Sequence, residues 1–338
     1  MFEVGPQASG YLTRYANGWA DLDRKAGLCE GYFKGVLKPT NIDLHLVSAR
    51  AKTVDSTRDK VLRKRYGHPA MQLTDAIGVR VITYFASDVD SVAAALRDTL
   101  DLDERHSSDK RSVLALREFG YRSVHLVGRI RGDHLALQYR PIAQLRVEIQ
   151  IRSVLEHAWA EIEHEVVYKA GIDLPEDIRR RFSAIAGTLE LLESEFDALR
   201  RSRAELIDHH KVRFDEGLGF DEPLDASRLI AVLEVLRPGG LSWRAAEQAG
   251  QPFPPRIEAT CTNALAAAEV RTGGELRDLL TSEAFSQRAH AYAAARGTVP
   301  STLSHLSVAV IATTVKDEGA ATAFLGQLAD EVLGAVNG

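Results

Sequence analysis

The segment Leu145 to Arg152, LRVEIQIR, and the stretch after it carry the densest group of side chains able to do acid–base, metal or phosphate chemistry. At period two, Leu145, Val147, Ile149 and Ile151 fall on one face of a strand, and Arg146, Glu148, Gln150 and Arg152 on the other. Such a strand is either a solvated edge or the floor of a polar site. In SVLEHAWAEIEHEVVYK, Leu155, Trp159, Ile162 and Val166 recur at helical spacing and read as core. His157, Glu161, His164 and Tyr168 form a second stripe about 200° away, at about 100° per residue. Two consecutive elements with polar faces point to one cleft. The strand GYRSVHLVGRIR repeats the pattern, with Tyr121, Ser123, His125, Arg129 and Arg131 opposite Val124, Leu126 and Ile130. An aromatic ring beside imidazole and guanidinium groups suits a planar base that carries phosphate.

Upstream, Arg50, Lys52, Arg58, Lys60, Arg63 and Lys64 make a basic run whose ordinary reading is a solvated face. Arg50 and Lys52 end a predicted strand and Ser56 opens a helix, a placement that suits phosphate oxygens. Asp75, just before the β-branched run GVRVITYF, puts a carboxylate at a strand mouth. Asp75 and Glu148 would suit Mg²⁺, which takes carboxylates together with substrate phosphates. Other metal chemistry is poorly supported. Glu161-x-x-His164 has no matching motif on a second helix, and His164-Glu165 lacks the second histidine of HExxH. No GxxxxGK[ST] occurs and no GxGxxG follows a strand, so phosphates would be held by side chains rather than by a glycine loop.

The elements that must position these groups read as a mixed β-sheet flanked by helices, an α/β (α+β) fold. A helix from Tyr11 to about Lys34 precedes a strand at Ile42 to Ser48 and a charged helix at Val54 to Tyr66. A buried strand at Gly78 to Phe85, a helix at Val89 to Leu100, and strands at Tyr121 to Ile130 and Gln144 to Ile151 follow. Helices are expected at Ser153 to Lys169 and from Pro175 to about Lys211. In the latter, Ile178, Phe182, Ile185, Leu189, Leu192, Phe196 and Leu199 alternate at spacings of four and three, and Leu206 resumes the series after Arg203. This heptad seam at 178–206 would pack on the chain's own sheet or tail, or make a homo-oligomer.

With 45% hydrophobic and 26% charged residues, the 338-residue chain can bury a real core. The net charge of −5 argues against a general polyanion binder. Residues 221–338 hold 9 Lys and Arg against 14 Asp and Glu, so the acidity lies in the tail. Cys29 and Cys261 form no CxxC, which excludes a disulfide scaffold and a cysteine zinc site. The N-terminus lacks a basic region followed by an apolar run, and SVAVIATTV is too short to span a bilayer. The expectation is a cytoplasmic protein without a membrane partner.

Taken together, RAKTVDSTRDK, DAIGVRV, GYRSVH and VEIQIRSVLEHAWAEIEHEVVYK resemble the synthetase domain of the RelA/SpoT family, in particular its small stand-alone alarmone synthetases. The resemblance covers about residues 40–170. It implies a nucleotidyltransferase-like fold and an ATP-dependent pyrophosphokinase that moves the β,γ-pyrophosphate of ATP to the ribose 3′-hydroxyl of GTP or GDP, making (p)ppGpp. It further implies that Arg50, Lys52, Ser56, Lys60 and Arg80 bind ATP, and that Asp75 and Glu148 hold Mg²⁺. Glu148 would accept the hydroxyl proton, Tyr121 would stack on the acceptor base, and Arg117, His125, Gln150, Arg152 and His157 would complete the acceptor site.

Where the family commonly reads P-K-x-N-G-Y, this chain reads LREFGY, with Arg117 for the lysine and Phe119 for the asparagine. Loss of that amide bears on guanine selection, because hydrogen-bonding groups discriminate between bases and an aromatic face does not. The alternatives are a toxin-like member that modifies the 3′ end of tRNA or makes adenosine alarmones, with an antitoxin or regulatory partner, and a non-catalytic nucleotide sensor. No His-Asp dipeptide is present, so synthesis without hydrolysis is expected. The expected division is a synthetase domain at 1–172, the heptad helix at 173–216, and an acidic, mainly helical region of unassigned role at 217–338.

Overall fold

Alternation of apolar and polar residues along neighbouring strands decides the N-terminal architecture of this computed structural model, which describes residues 6–109, 123–133, 135–168, 175–236, 257–298, 300, 303 and 305–337. The strands are β1 (Leu44–Ala51), β2 (Ile77–Thr83), β3 (Leu100–Leu102), β4 (Ser108–Asp109), β5 (Val124–Ile130) and β6 (Arg146–Ser153). They form one mixed sheet in the order β1-β2-β6-β5-β3, with β4 paired to β5. β2 and β6 run parallel, and the other pairs antiparallel. Val47, Ile77, Val79, Val81, Leu126, Ile149 and Ile151 point to one side. There they meet Ala26, Cys29 and Phe33 of α1 (Pro6–Leu37) and Val92 and Leu96 of α4 (Val89–Arg97). That layer leaves the opposite, polar face of the sheet for chemistry. It is the mixed sheet flanked by helices that the sequence predicts.

Two short helices connect β1 to β2. α2 (Val54–Arg63) starts on Thr53, whose hydroxyl accepts from Ser56 N, and α3 (Pro69–Gln72) is a single turn. After β6, Ser153 and Glu156 form a reciprocal cap that starts α5 (Val154–Glu163) at once.

Several boundaries differ from expectation. The helix predicted through Leu100 ends at Arg97, and Leu100 instead opens β3, because its partner Ile130 supplies a sheet edge that local propensity cannot reveal. The helix predicted to Lys169 is α-helical only to Glu163 and continues as a π-helical turn, His164–Tyr168. The turn shifts the angular phase before Val166, which is exposed; Ile162 precedes the turn and is exposed as well, so of the stripe read as core Trp159 is buried and these two are not.

The chain falls into two compact units, residues 1–197 and 198–338, and the division lies within α6 (Glu176–Asp215). Along α6 the heptad residues Ile185, Leu192, Phe196, Leu199 and Leu206 are between 41% and 64% exposed. The C-terminal unit is helical, with α7 (Ala226–Val235), α8 (Ile257–Ala267), α9 (Gly273–Leu280), α10 (Glu283–Ala295), α11 (His305–Lys316), α12 (Glu318–Leu325) and α13 (Gln327–Asn337) among the described residues. Asp225, Thr272, Ser282 and Asp317 cap α7, α9, α10 and α12, which is why these short segments hold. Leu233, Leu265, Leu276, Phe285, Ile311 and Val332 lie in its core. No helix among the described residues is long and apolar enough to cross a membrane.

Candidate active site

Register across β1, β2 and β6 builds the site. Arg50 pairs with Gly78 and Gly78 with Glu148; one row along, Ser48 pairs with Arg80 and Arg80 with Gln150. Paired residues share a face, so three strands contribute to one polar floor. The floor and the β1–α2 corner line a cavity of about 400 Å³ that contains Arg50, Lys52, Ser56, Asp75, Arg80, Glu148 and Gln150. Both expected carboxylates are therefore in the same cavity.

Asp75 is held asymmetrically. Lys52 Nζ and Lys60 Nζ approach the same oxygen, Oδ2, at 3.0 and 2.8 Å. Its other oxygen, Oδ1, is buried and has no hydrogen-bond donor among the described residues. Glu148 is surrounded instead. Thr74 Oγ1 donates to Oε2 at 3.1 Å, Gln150 Nε2 donates to Oε1 at 3.2 Å, and His125 Nδ1 lies 3.7 Å from Oε1. Burial alone would raise the Glu148 pKa, but His125, Gln150 and Thr74 outweigh it and bring the carboxyl from 4.5 to about 2. Glu148 is thus ionised at any neutral pH.

Gln150 is itself fixed, since its Oε1 accepts from Arg152 Nη2 at 2.8 Å, and Arg152 is buried. His157 on α5 is lowered below the usual imidazole range, first by burial and then by the nearby Arg152 and Arg80 charges, against the pull of Glu161. Arg80 reaches Glu161 at 3.0 Å, which joins β2 to α5 over the polar face. Of the expected polar stripe on α5, Glu161 meets Arg80 of the cavity wall, and His157 and Glu161 are not themselves among the residues that line the cavity.

Other expected groups are placed elsewhere. His164 is exposed beyond the end of α5. Arg129 donates to Gln144 O, and Arg131 pairs with Asp101. The basic run divides as amphipathic geometry requires, with Arg50, Lys52 and Lys60 at the site and Arg58, Arg63 and Lys64 exposed. Arg117 and Tyr121 lie outside the described residues.

Four further residues support the site. Thr53 caps α2 and donates to Ser56 Oγ at 2.8 Å, and the TVDS spacing carries that signal in the sequence. Thr74 holds Glu148, with no sequence signal. Tyr15 Oη and Trp19 Nε1 on α1 both donate to the carbonyl of Lys52, at 2.7 and 3.0 Å. Their i, i+4 spacing marks a shared helix face, but the carbonyl they meet is visible only in three dimensions.

Residues 49–173 match the family described as the region found in RelA / SpoT proteins. The chain is 30% identical over 166 residues to GTP pyrophosphokinase YjbM of Bacillus subtilis, a match that spans 46% of this chain and 72% of the relative. It is 27% identical over 157 residues to GTP pyrophosphokinase YwaC of the same organism, spanning 45% of this chain and 72% of that relative. Among solved structures, small alarmone synthetase 1 from Bacillus subtilis is similar at 24% identity and a TM-score of 0.43, over 58% of this chain and 97% of that one.

Proposed function

The chain belongs to the RelA/SpoT family, and from that premise we propose that it is an ATP-dependent pyrophosphokinase that makes (p)ppGpp. The observation that carries the reading is the single cavity in which Asp75, Glu148, Lys52, Arg50 and Arg80 converge. In the proposed reaction the acceptor's ribose 3′-oxygen attacks the β-phosphorus of ATP. The bond from that phosphorus to the oxygen bridging to the α-phosphorus breaks, AMP leaves, and the hydroxyl proton passes to Glu148.

Each residue has a physical task in this scheme. Arg50, Lys52, Lys60, Arg80 and the Ser56 hydroxyl bind the anionic donor at the start of α2, where unpaired backbone N–H groups also favour phosphate. His125, Gln150, Arg152 and His157 orient the acceptor beside Glu148, and Arg117 and Tyr121 are assigned to its base. A carboxylate with a pKa of about 2 is a weak base. A bound triphosphate would place negative charge beside it and strengthen it as a base, and a loose phosphoryl-type transition state asks for positioning and charge neutralisation more than for a strong base.

The donor set fits Mg²⁺. Asp75 Oδ1 is buried without a donor among the described residues, and Glu148 faces the same cavity. Among the described residues, no group of three or more His, Cys, Asp and Glu forms a protein cage. Mg²⁺ commonly binds through one or two carboxylates and the substrate's own phosphates. Asp75 and Glu148 would hold it, and when bound it supplies charge neutralisation at the triphosphate.

Incubation with ATP, Mg²⁺ and GDP, GTP, AMP or uncharged tRNA in separate reactions tests the function. AMP release with pyrophosphate on the guanosine 3′-oxygen is the expected result. Label only on AMP or tRNA replaces the acceptor, and absence of AMP in every reaction turns the reading to a nucleotide sensor. Loss of (p)ppGpp on prolonged incubation would overturn synthesis without hydrolysis. The exposed seam of α6 supports self-association, read by light scattering of wild type and Leu192→Lys.

A further inference from the structure

Gly78 stands in the middle of the floor, between Arg50 on β1 and Glu148 on β6, and it lines the cavity. Glycine inside a strand weakens the strand and usually marks a bulge or a close approach. Neither the backbone nor the packing here asks for it. Its φ is not in the left-handed region, the β1–β2 register runs without a bulge at this position, and a β-carbon built on it would meet nothing within 4 Å. Gly128 on β5 is different, because a β-carbon there would lie 2.8 Å from the Asp101 carbonyl oxygen. Gly128 is needed by the fold. Gly78 is a place where the fold would accept a side chain and none is present.

Alternation places the missing side chain on the polar face, opposite the buried Ile77 and Val79. It would project into the space flanked by the Arg50 side of the cavity and the Glu148 carboxylate. Under the function proposed above, on which this inference rests, that space is where the triphosphate must approach the acceptor hydroxyl. We propose that Gly78 is a steric determinant of the reaction: its absent side chain is the room the transferring pyrophosphoryl group occupies between the basic wall and Glu148. A methyl group on the floor would lift the β-phosphorus out of line with the attacking oxygen. A displacement of about 1 Å costs on the order of a hundredfold in rate. Ground-state binding would suffer less, because Arg50, Lys52 and Lys60 still grip the ends of the phosphate chain.

The test compares the full-length wild type, Gly78→Ala and Gly78→Val by thermal melting, by equilibrium binding of a non-hydrolysable ATP analogue, and by steady-state AMP release. The Gly78→Ala variant should melt at or above the wild-type temperature, lose about a hundredfold in kcat, and change KM for ATP only a fewfold. The Gly78→Val variant, with a β-branched residue suited to a strand, should also stay folded, but bind the analogue more weakly and show no measurable turnover. Wild-type kcat in Gly78→Ala overturns the proposal. A lower melting temperature in both variants also overturns it, because the glycine would then serve packing. If the wild type releases no AMP with any acceptor, the functional reading fails by itself. In that case weaker analogue binding by Gly78→Val still places a phosphate chain over this residue, and unchanged binding removes it.

Discussion

Two three-residue charge clusters, one in each compact unit, are mirror images in sign. In the C-terminal unit, Lys211 sits between two carboxylates, Asp208 at 2.7 Å and Glu234 at 2.8 Å, and these bonds raise its pKa. In the N-terminal unit, one carboxylate oxygen, Asp75 Oδ2, sits between Lys52 and Lys60. In the first cluster Asp208 is well exposed and solvent screens its pair with Lys211, although Glu234 is as shielded as the second cluster; all three members of the second are at most 24% exposed and line or border a cavity. The first carries a net negative charge. The second holds a cation in excess beside a buried oxygen without a donor among the described residues, an arrangement that under the proposed function a polyanion with its counter-ion would complete. The proposed site is the cluster whose pairing is left unfinished.

The strongest way to break this contrast is Glu148→Gln. The substitution keeps size and removes the charge, so turnover should fall by more than about two orders of magnitude, with a smaller loss of Mg²⁺-dependent ATP affinity because Asp75 and the basic wall remain. Stability gives a second readout in metal-free buffer. The folded-state pKa of about 2 lies below the ordinary 4.5, so the stabilisation from the ionised group is complete above 4.5 and disappears as the pH falls towards 2. The difference in stability between wild type and variant should therefore narrow across that window. Lys60→Ala comes next. Charge-assisted bonds to phosphate are the strong ones, and KM for ATP should rise by roughly 10- to 100-fold with a smaller change in KM for the acceptor. Equal shifts in both values would mean that Lys60 serves the fold.

Much of the site can be read from sequence because period two is unforgiving. Once Val147, Ile149 and Ile151 are assigned inward, Glu148, Gln150 and Arg152 must share the other face, and the parallel partner β2 then brings Arg80 beside Gln150. Helical phase similarly gave His157 and Glu161. The failures share a cause. β3 exists because β5 offers it an edge, and the π-helical turn at His164 takes Val166 out of the predicted phase, while Ile162, still on the α-helical part, is exposed because burial depends on what the rest of the chain packs against that face. The convergence of Lys52 and Lys60 on one oxygen depends on a junction 23 residues from Asp75 in one case, which no local pattern encodes.

That junction yields a smaller effect. Lys52 N donates to Ala76 O at 2.9 Å, and its carbonyl accepts from Tyr15 and Trp19. The Lys52 backbone is thus tied to the lead-in of β2 and to α1, which aims its side chain at Asp75. Tyr15→Phe removes one neutral hydrogen bond and keeps the ring, a change of about 1 kcal/mol and hence about fivefold in KM for ATP. The double variant Tyr15→Phe/Trp19→Phe leaves the carbonyl without either donor and should exceed the sum of the single effects. An acceptor KM that rises in step would point to general loosening of the unit instead.

The smallest expected effect completes the contrast from the other side. Lys211→Met keeps most of the apolar stem and removes the cation from between Asp208 and Glu234. The pair with exposed Asp208 contributes little, the more shielded pair with Glu234 somewhat more, and solvent at Asp208 screens the repulsion left between the two carboxylates. The melting temperature should change by less than about 4 °C, and the difference should shrink when salt is raised. Turnover and both KM values should stay at wild-type levels. If Lys211→Met instead raised KM for ATP as far as Lys60→Ala does, the two clusters would be functionally equivalent, and incomplete pairing would no longer mark the site.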